Sequence, residues 1–233
     1  MDKLDRKELK HDRFVEEVQH SVEFVSGHKS QVTLYAGLAV AVIVIAVGTY
    51  LYLDKTHNER QAELRDAIQN QEGAVGQGSP DHMKVFPTLA AKDEASIKGF
   101  NNLVAKYGSK DEGAIAHYYL GIIAADQGKV DEAAKQFKQV AEDGNKNYSS
   151  LAKFALAQIN ASQGKLPEAE KLLKELEDNP TALVSKEQAM VERAILLGKS
   201  KPEDARKILE QLRTSERSAV SRSALTTLSE LGK

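Results

Sequence analysis

Residues 32–53, VTLYAGLAVAVIVIAVGTYLYL, form an unbroken run of 22 residues without a charge. At 1.5 Å rise per residue such a run makes a helix of about 33 Å, enough to cross a hydrocarbon core of about 30 Å. A helix satisfies its own backbone groups, as lipid requires. Thr33, Thr49 and three tyrosines carry its only polar side-chain atoms. Tyr35 near one end, and Tyr50 and Tyr52 near the other, stand where interfacial aromatics belong. The buried helix of a soluble core would show a polar face at this length, and this run has none. One membrane-spanning helix is therefore predicted. It reads as an uncleaved anchor, because the preceding tail is too long and too acidic for a signal-peptide n-region. The apolar run also continues past the small-residue triplet Ala46-Val47-Gly48.

The chain then falls into four parts. Residues 1–31 are a short tail. Within it, Phe14, Val15, Val18, Val22 and Val25 recur at helical spacing among charges, and Gly27 ends the pattern. Two readings of the tail stand side by side: an interfacial or partner-binding helix, and a short solvated one. The span occupies residues 32–53. Residues 54–92 read as a polar stalk helix that continues the span, followed by a flexible linker from GAVGQGSP to Pro87. Residues 93–233 form the soluble domain, opening with a helix from Asp93 to Tyr107 that Gly108 caps. Basic residues flank the span on both sides (Arg13 and Lys29; Lys55, Arg60 and Arg65), so charge bias does not set its orientation. A short tail before a large domain is the usual arrangement of a tail in the cytoplasm and an exported domain.

Within residues 93–233 the sequence repeats itself. AIAHYYLGIIAADQGKVDEAAKQFKQV (from Ala114) and SLAKFALAQINASQGKLPEAEKLLKEL (from Ser150) align with an offset of 36 residues. Gly128 then falls on Gly164, Gly121 on Ala157, Ala133 on Ala169 and Phe137 on Leu173. Each unit is a helix, a glycine turn and a second helix beginning near Val130 or Leu166. The two best units are 114–147 and 150–183. A third, weaker one lies at KPEDARKILEQL, with Ala205, Leu209 and Leu212 on one face, and residues 218–231 read as a closing helix.

This pattern resembles the tetratricopeptide repeat, with His117, Ala124 and Asn160 departing from its usual aromatic positions. The fold expected is all-α: one N-terminal transmembrane helix followed by a tetratricopeptide-like α-solenoid. A single helix pair cannot bury its apolar face, so neighbours stack, and the small Gly121, Ala133, Ala157 and Ala169 let helices approach. The resemblance implies a protein-binding groove lined by the first helices, at Ile115, Tyr118 and Ile122 in one unit and Leu151, Phe154 and Gln158 in the next. The Lys and Asn residues that clamp a peptide carboxylate in some chaperone-binding members are missing from these positions.

No catalytic signature is present. The six histidines show no metal-ligand spacing, and no nucleophile elbow, phosphate loop or dinucleotide fingerprint occurs. With no cysteine there are no disulfides and no thiolate sites. Asp126 and the run Glu168, Glu170, Glu175, Glu177 and Asp178 read as solvated helix faces with interleaved lysines. The formal net charge of −2 carries no nucleic-acid footprint. No cofactor, metal, nucleic acid or small-molecule substrate is expected, and the chain reads as a binding protein rather than an enzyme.

In layout, stalk and repeat pattern the chain resembles the bacterial ancillary Sec translocon subunit family. That likeness implies an inner-membrane, single-pass scaffold with a cytoplasmic N-terminus and a periplasmic domain. Its partners would be translocon subunits, periplasmic chaperones or exported clients, with lipid around the span. Gly37 and Ala41 form a small-xxx-small pair able to pack on another membrane helix. Two other classes compete: an envelope-assembly adaptor linking the inner membrane to cell-wall or outer-membrane machinery, and a membrane-anchored hydrolase, for which no catalytic residues are found.

Overall fold

A computed structural model describes residues 29–76 and 83–231. The expected tail helix and Gly27 stop lie outside the described residues, as do residues 77–82 of the Gly/Pro linker. The described chain is all-α apart from one small ladder. Helix α1 spans Lys29–Gln71, strands β1 and β2 are Ala74–Val75 and Val85–Phe86, and the remaining helices follow in order. These are α2 (Leu89–Tyr107), α3 (Asp111–Asp126), α4 (Val130–Asp143), α5 (Lys146–Ser162), α6 (Leu166–Asp178), α7 (Lys186–Leu197), α8 (Pro202–Arg213) and α9 (Ser218–Leu231).

The chain divides into two compact units, with the boundary between Asn58 and Glu59. The described part of the first unit is the N-terminal stretch of α1. It is long and apolar enough to cross a membrane. Leu34, Ile45, Tyr50 and their apolar neighbours are exposed along it.

The second unit is the helical array, and its first helix is the C-terminal stretch of α1. Sequence reading made this segment a polar stalk. The structure instead buries Leu64 and Ala67, and packs Ile68, against Phe100 and Leu103 of α2 and Ala116 and Leu120 of α3. Leu64, Ala67 and Ile68 have the i, i+3, i+4 spacing of one helix face. Gly99 of α2 sits so close that a Cβ there would lie 3.1 Å from the Ala67 side chain. At the same junction Glu112, 3% exposed, accepts hydrogen bonds from Arg60 Nε at 3.3 Å and Gln61 Nε2 at 2.8 Å. The α2 helix thus has a partner, and the opening pair is complete.

Each later helix packs on the next, and contacts between α3 and α5 and between α7 and α9 join helices of like position. The core is segmented. One cluster gathers Ala124, Phe137, Val140 and Ala152, a second Ala157, Leu173, Leu176 and Val184, and a third Leu197, Leu209, Leu212 and Ala224. Each draws on adjacent pairs, which is how repeats bury faces that no single pair can close.

Local signals set the ends. Thr88, Asn145 and Ser185 cap α2, α5 and α7 through side-chain oxygens that accept backbone N–H bonds. Gly128 and Gly164 turn the chain with φ of +73° and +75°, a region costly for residues with a Cβ. Gly108 differs from the expected left-handed glycine cap: its φ is −54°, and α2 is closed by Lys110 N–H donating to the Tyr107 carbonyl at 2.8 Å. Nothing stands within 4 Å of a Cβ at Gly128, so Gly128→Ala isolates the backbone term. It is expected to destabilise the array by about 1–2 kcal/mol, read as a lowered urea midpoint at unchanged slope.

The ladder between β1 and β2 is parallel and two residues long, pairing Ala74 with Val85 and Val75 with Phe86. It ties the segment after α1 back toward α2. Lys84 strengthens the link, donating to Asp66 Oδ1 and Asn70 Oδ1, each at 2.7 Å.

Candidate functional site

Helices α3, α4 and α5 meet around an open cavity of about 390 Å³. The glycine turn at Gly128 brings α4 back along α3, and stacking of the next pair places α5 alongside both. Tyr118 and Ile122 of α3, Val130 and Phe137 of α4, and Ala155 and Ile159 of α5 form apolar walls. Asp126, Gln158 and Ser162 bring polar groups to the same cavity.

An aromatic cluster backs this surface. Tyr118 meets Phe137 and Tyr148 at centroid distances of 5.6 Å, tilted by 57° and 72°. It also meets Tyr119 edge-on at 6.0 Å, and Tyr119 stacks on Phe100 at 4.9 Å. Edge-to-face contacts of this kind hold rings in fixed orientations. Burial pushes the phenols of Tyr118, Tyr119 and Tyr148 above their ordinary value, with Tyr148 and Glu72 adding to the effect at Tyr119. All three stay protonated near neutral pH. Their hydroxyls make no hydrogen bond with any described residue, and of the three only Tyr118 lines the cavity.

Of the six groove residues expected from sequence, Tyr118, Ile122 and Gln158 share this cavity. Ile115 instead packs, half-buried, against the Leu64–Phe100 cluster. Leu151 and Phe154 pack, half-buried, against the Leu173–Val184 cluster. Gln158 reaches onward to α7, donating to Glu192 Oε1 at 3.2 Å. The cavity also uses residues the sequence reading passed over. Val130 and Phe137 belong to the second helix, and Asp126 had been assigned to a solvated face. In the span, Gly37 and Ala41 are exposed, and a Cβ at Gly37 would meet nothing within 4 Å.

Several other polar groups tie helices together. His117 Nδ1 lies 2.6 Å from Gln136 Oε1, tying α3 to α4. The acidic residues of α6 pair across helices. Glu177 binds Arg193 through two bonds, one of them 2.9 Å from Nη2, Glu170 meets Lys201 at 3.2 Å, and Glu175 pairs with Lys153. Among the described residues no cluster of His, Asp and Glu could hold a metal ion.

A family model described as a tetratricopeptide repeat-like domain matches residues 28–227. No curated protein and no solved structure matches the chain.

Proposed function

The chain belongs to the tetratricopeptide repeat-like domain family, and from that premise we propose that it is a membrane-anchored, non-catalytic scaffold whose array receives partner proteins in the α3–α5 cavity. Domains of this family are protein-interaction modules. The cavity at Tyr118, Ile122 and Gln158 is the observation that carries the reading. It has the apolar walls and few placed polar groups of a recognition site.

The finer assignment follows the resemblance in layout to the ancillary Sec translocon subunits. The N-terminus lies in the cytoplasm of a bacterial cell, α1 crosses the inner membrane beside the translocon, and the array meets chaperones or exported clients in the periplasm. Gly37 and Ala41 offer the face on which another membrane helix packs.

In-cell photocrosslinking tests this. A photoreactive residue at position 118 is expected to capture exported chaperones or clients, and one at position 41 to capture translocon subunits, both identified by mass spectrometry. Cell-wall or outer-membrane assembly proteins captured from both positions would replace the translocon reading with the envelope adaptor. Self-crosslinks alone from position 118 would show a homo-oligomer surface in place of a receptor cavity.

A further inference from the structure

Charge around the cavity is one-sided. The Asp126 carboxylate stands exposed at its mouth and makes no hydrogen bond or ion pair with any described residue. Glu192, held beside the same cavity by the Gln158 amide, has no cationic partner among the described residues either. No lysine or arginine lines the cavity. Lys129, three residues beyond Asp126, faces a separate depression with Asp93 and Glu94.

Elsewhere in the array several buried or half-buried acids meet a cation. Glu112 meets Arg60, Glu177 meets Arg193, Glu170 meets Lys201 and Glu187 meets Arg217. The two carboxylates beside the cavity have no such partner, and a cleft that carries one sign of charge between apolar walls focuses its field. The walls suit a methylene stem: Ile122, Val130 and Phe137 line the same cavity as Asp126. Long basic side chains bury such stems while keeping the charge at a polar rim.

We propose that the cavity takes a lysine or arginine side chain from an extended segment of a partner protein. Its stem lies on Ile122, Val130 and Phe137, its charge rests on Asp126, and Glu192 attracts a further basic residue of the same segment. This rests on the cavity being the partner-binding site and adds the chemistry of what binds.

The test uses the full chain in nanodiscs of zwitterionic phosphatidylcholine and fluorescein-labelled peptides with Gly-Ser flanks and a Leu-Arg-Leu, Leu-Gln-Leu or Leu-Glu-Leu centre. Fluorescence polarisation is expected to show the arginine peptide binding roughly tenfold more tightly than the glutamate peptide. That advantage should shrink several-fold when salt is raised to about 0.5 M. Asp126→Asn should remove most of it, Glu192→Gln the remainder, and neither should alter the circular dichroism. Equal binding of the three peptides, or an arginine preference unchanged in Asp126→Asn, would overturn the basic-segment proposal and leave the cavity as a binding site. Binding of no peptide at about millimolar concentration would overturn both readings together.

Discussion

A soluble fragment of residues 73–233 is expected to lose cooperative structure at its N-terminal end, while the fragment 59–233 stays folded throughout. The segment 59–71 buries Leu64 and Ala67 against Phe100 and Leu103, which are 0% and 1% exposed. Without it those two side chains meet water, at about 1.5–3 kcal/mol each. Glu112 also exchanges its Arg60 and Gln61 donors for water. The loss of burial alone reaches the lower end of an ordinary domain's whole stability, about 5–15 kcal/mol. Repeats interact mainly with neighbours, so the damage should be graded. Hydrogen exchange should show α2 and α3 deprotected in the shorter fragment, with α6 to α9 close to their values in the longer one. Equal protection of α2 and α3 in both fragments would mean that the segment is a stalk after all.

The second large effect lies in the α3–α4 pair. Phe137→Ala is expected to cost about 3–5 kcal/mol, because its 3%-exposed ring fills the space between Gly121 and Tyr118. Gly121→Ala alone is expected to cost about 1–3 kcal/mol by overpacking, since a Cβ there would lie 2.7 Å from a Phe137 ring carbon. Once Phe137 is truncated, the added methyl enters vacated space, and alanine's helix propensity favours it over glycine by about 1 kcal/mol. Urea unfolding of the four proteins should therefore give a coupling well outside additivity, with Gly121→Ala neutral or stabilising in the Phe137→Ala background. Strict additivity would show that the two positions do not compete for one space.

The same physics explains which features could be read from the sequence. The apolar run of the span needs only length and the absence of charge. The helix pairs 114–147 and 150–183 show because Ala133, Phe137 and Val140, and then Ala169, Leu173 and Leu176, repeat at fixed spacing and are all buried. The opening helix was hidden because its buried face is only Leu64, Ala67 and Ile68, set among Arg60, Gln61 and Glu63 and following the span without a break. Strands of two residues have no periodicity to detect. At the site, position within the first helix brought Tyr118, Ile122 and Gln158 together. It misplaced Ile115, Leu151 and Phe154 because one helix face serves both the groove and the junction between units. Asp126 was legible only as a charge on a helix end; its standing at the mouth of an apolar cavity comes from the way α4 and α5 fold back around it.

The segmented core has a consequence for how such a protein diversifies. Ala124, Phe137 and Ala152 belong to a different cluster from Leu197, Leu209 and Ala224. A lineage can therefore rework the residues around Tyr118 without disturbing the far end of the array. Around the cavity the demands of recognition and of folding meet in the same residues, since Phe137 both lines it and fills the core, so change in what is recognised there is bounded by the stability of one cluster and leaves the rest of the array untouched.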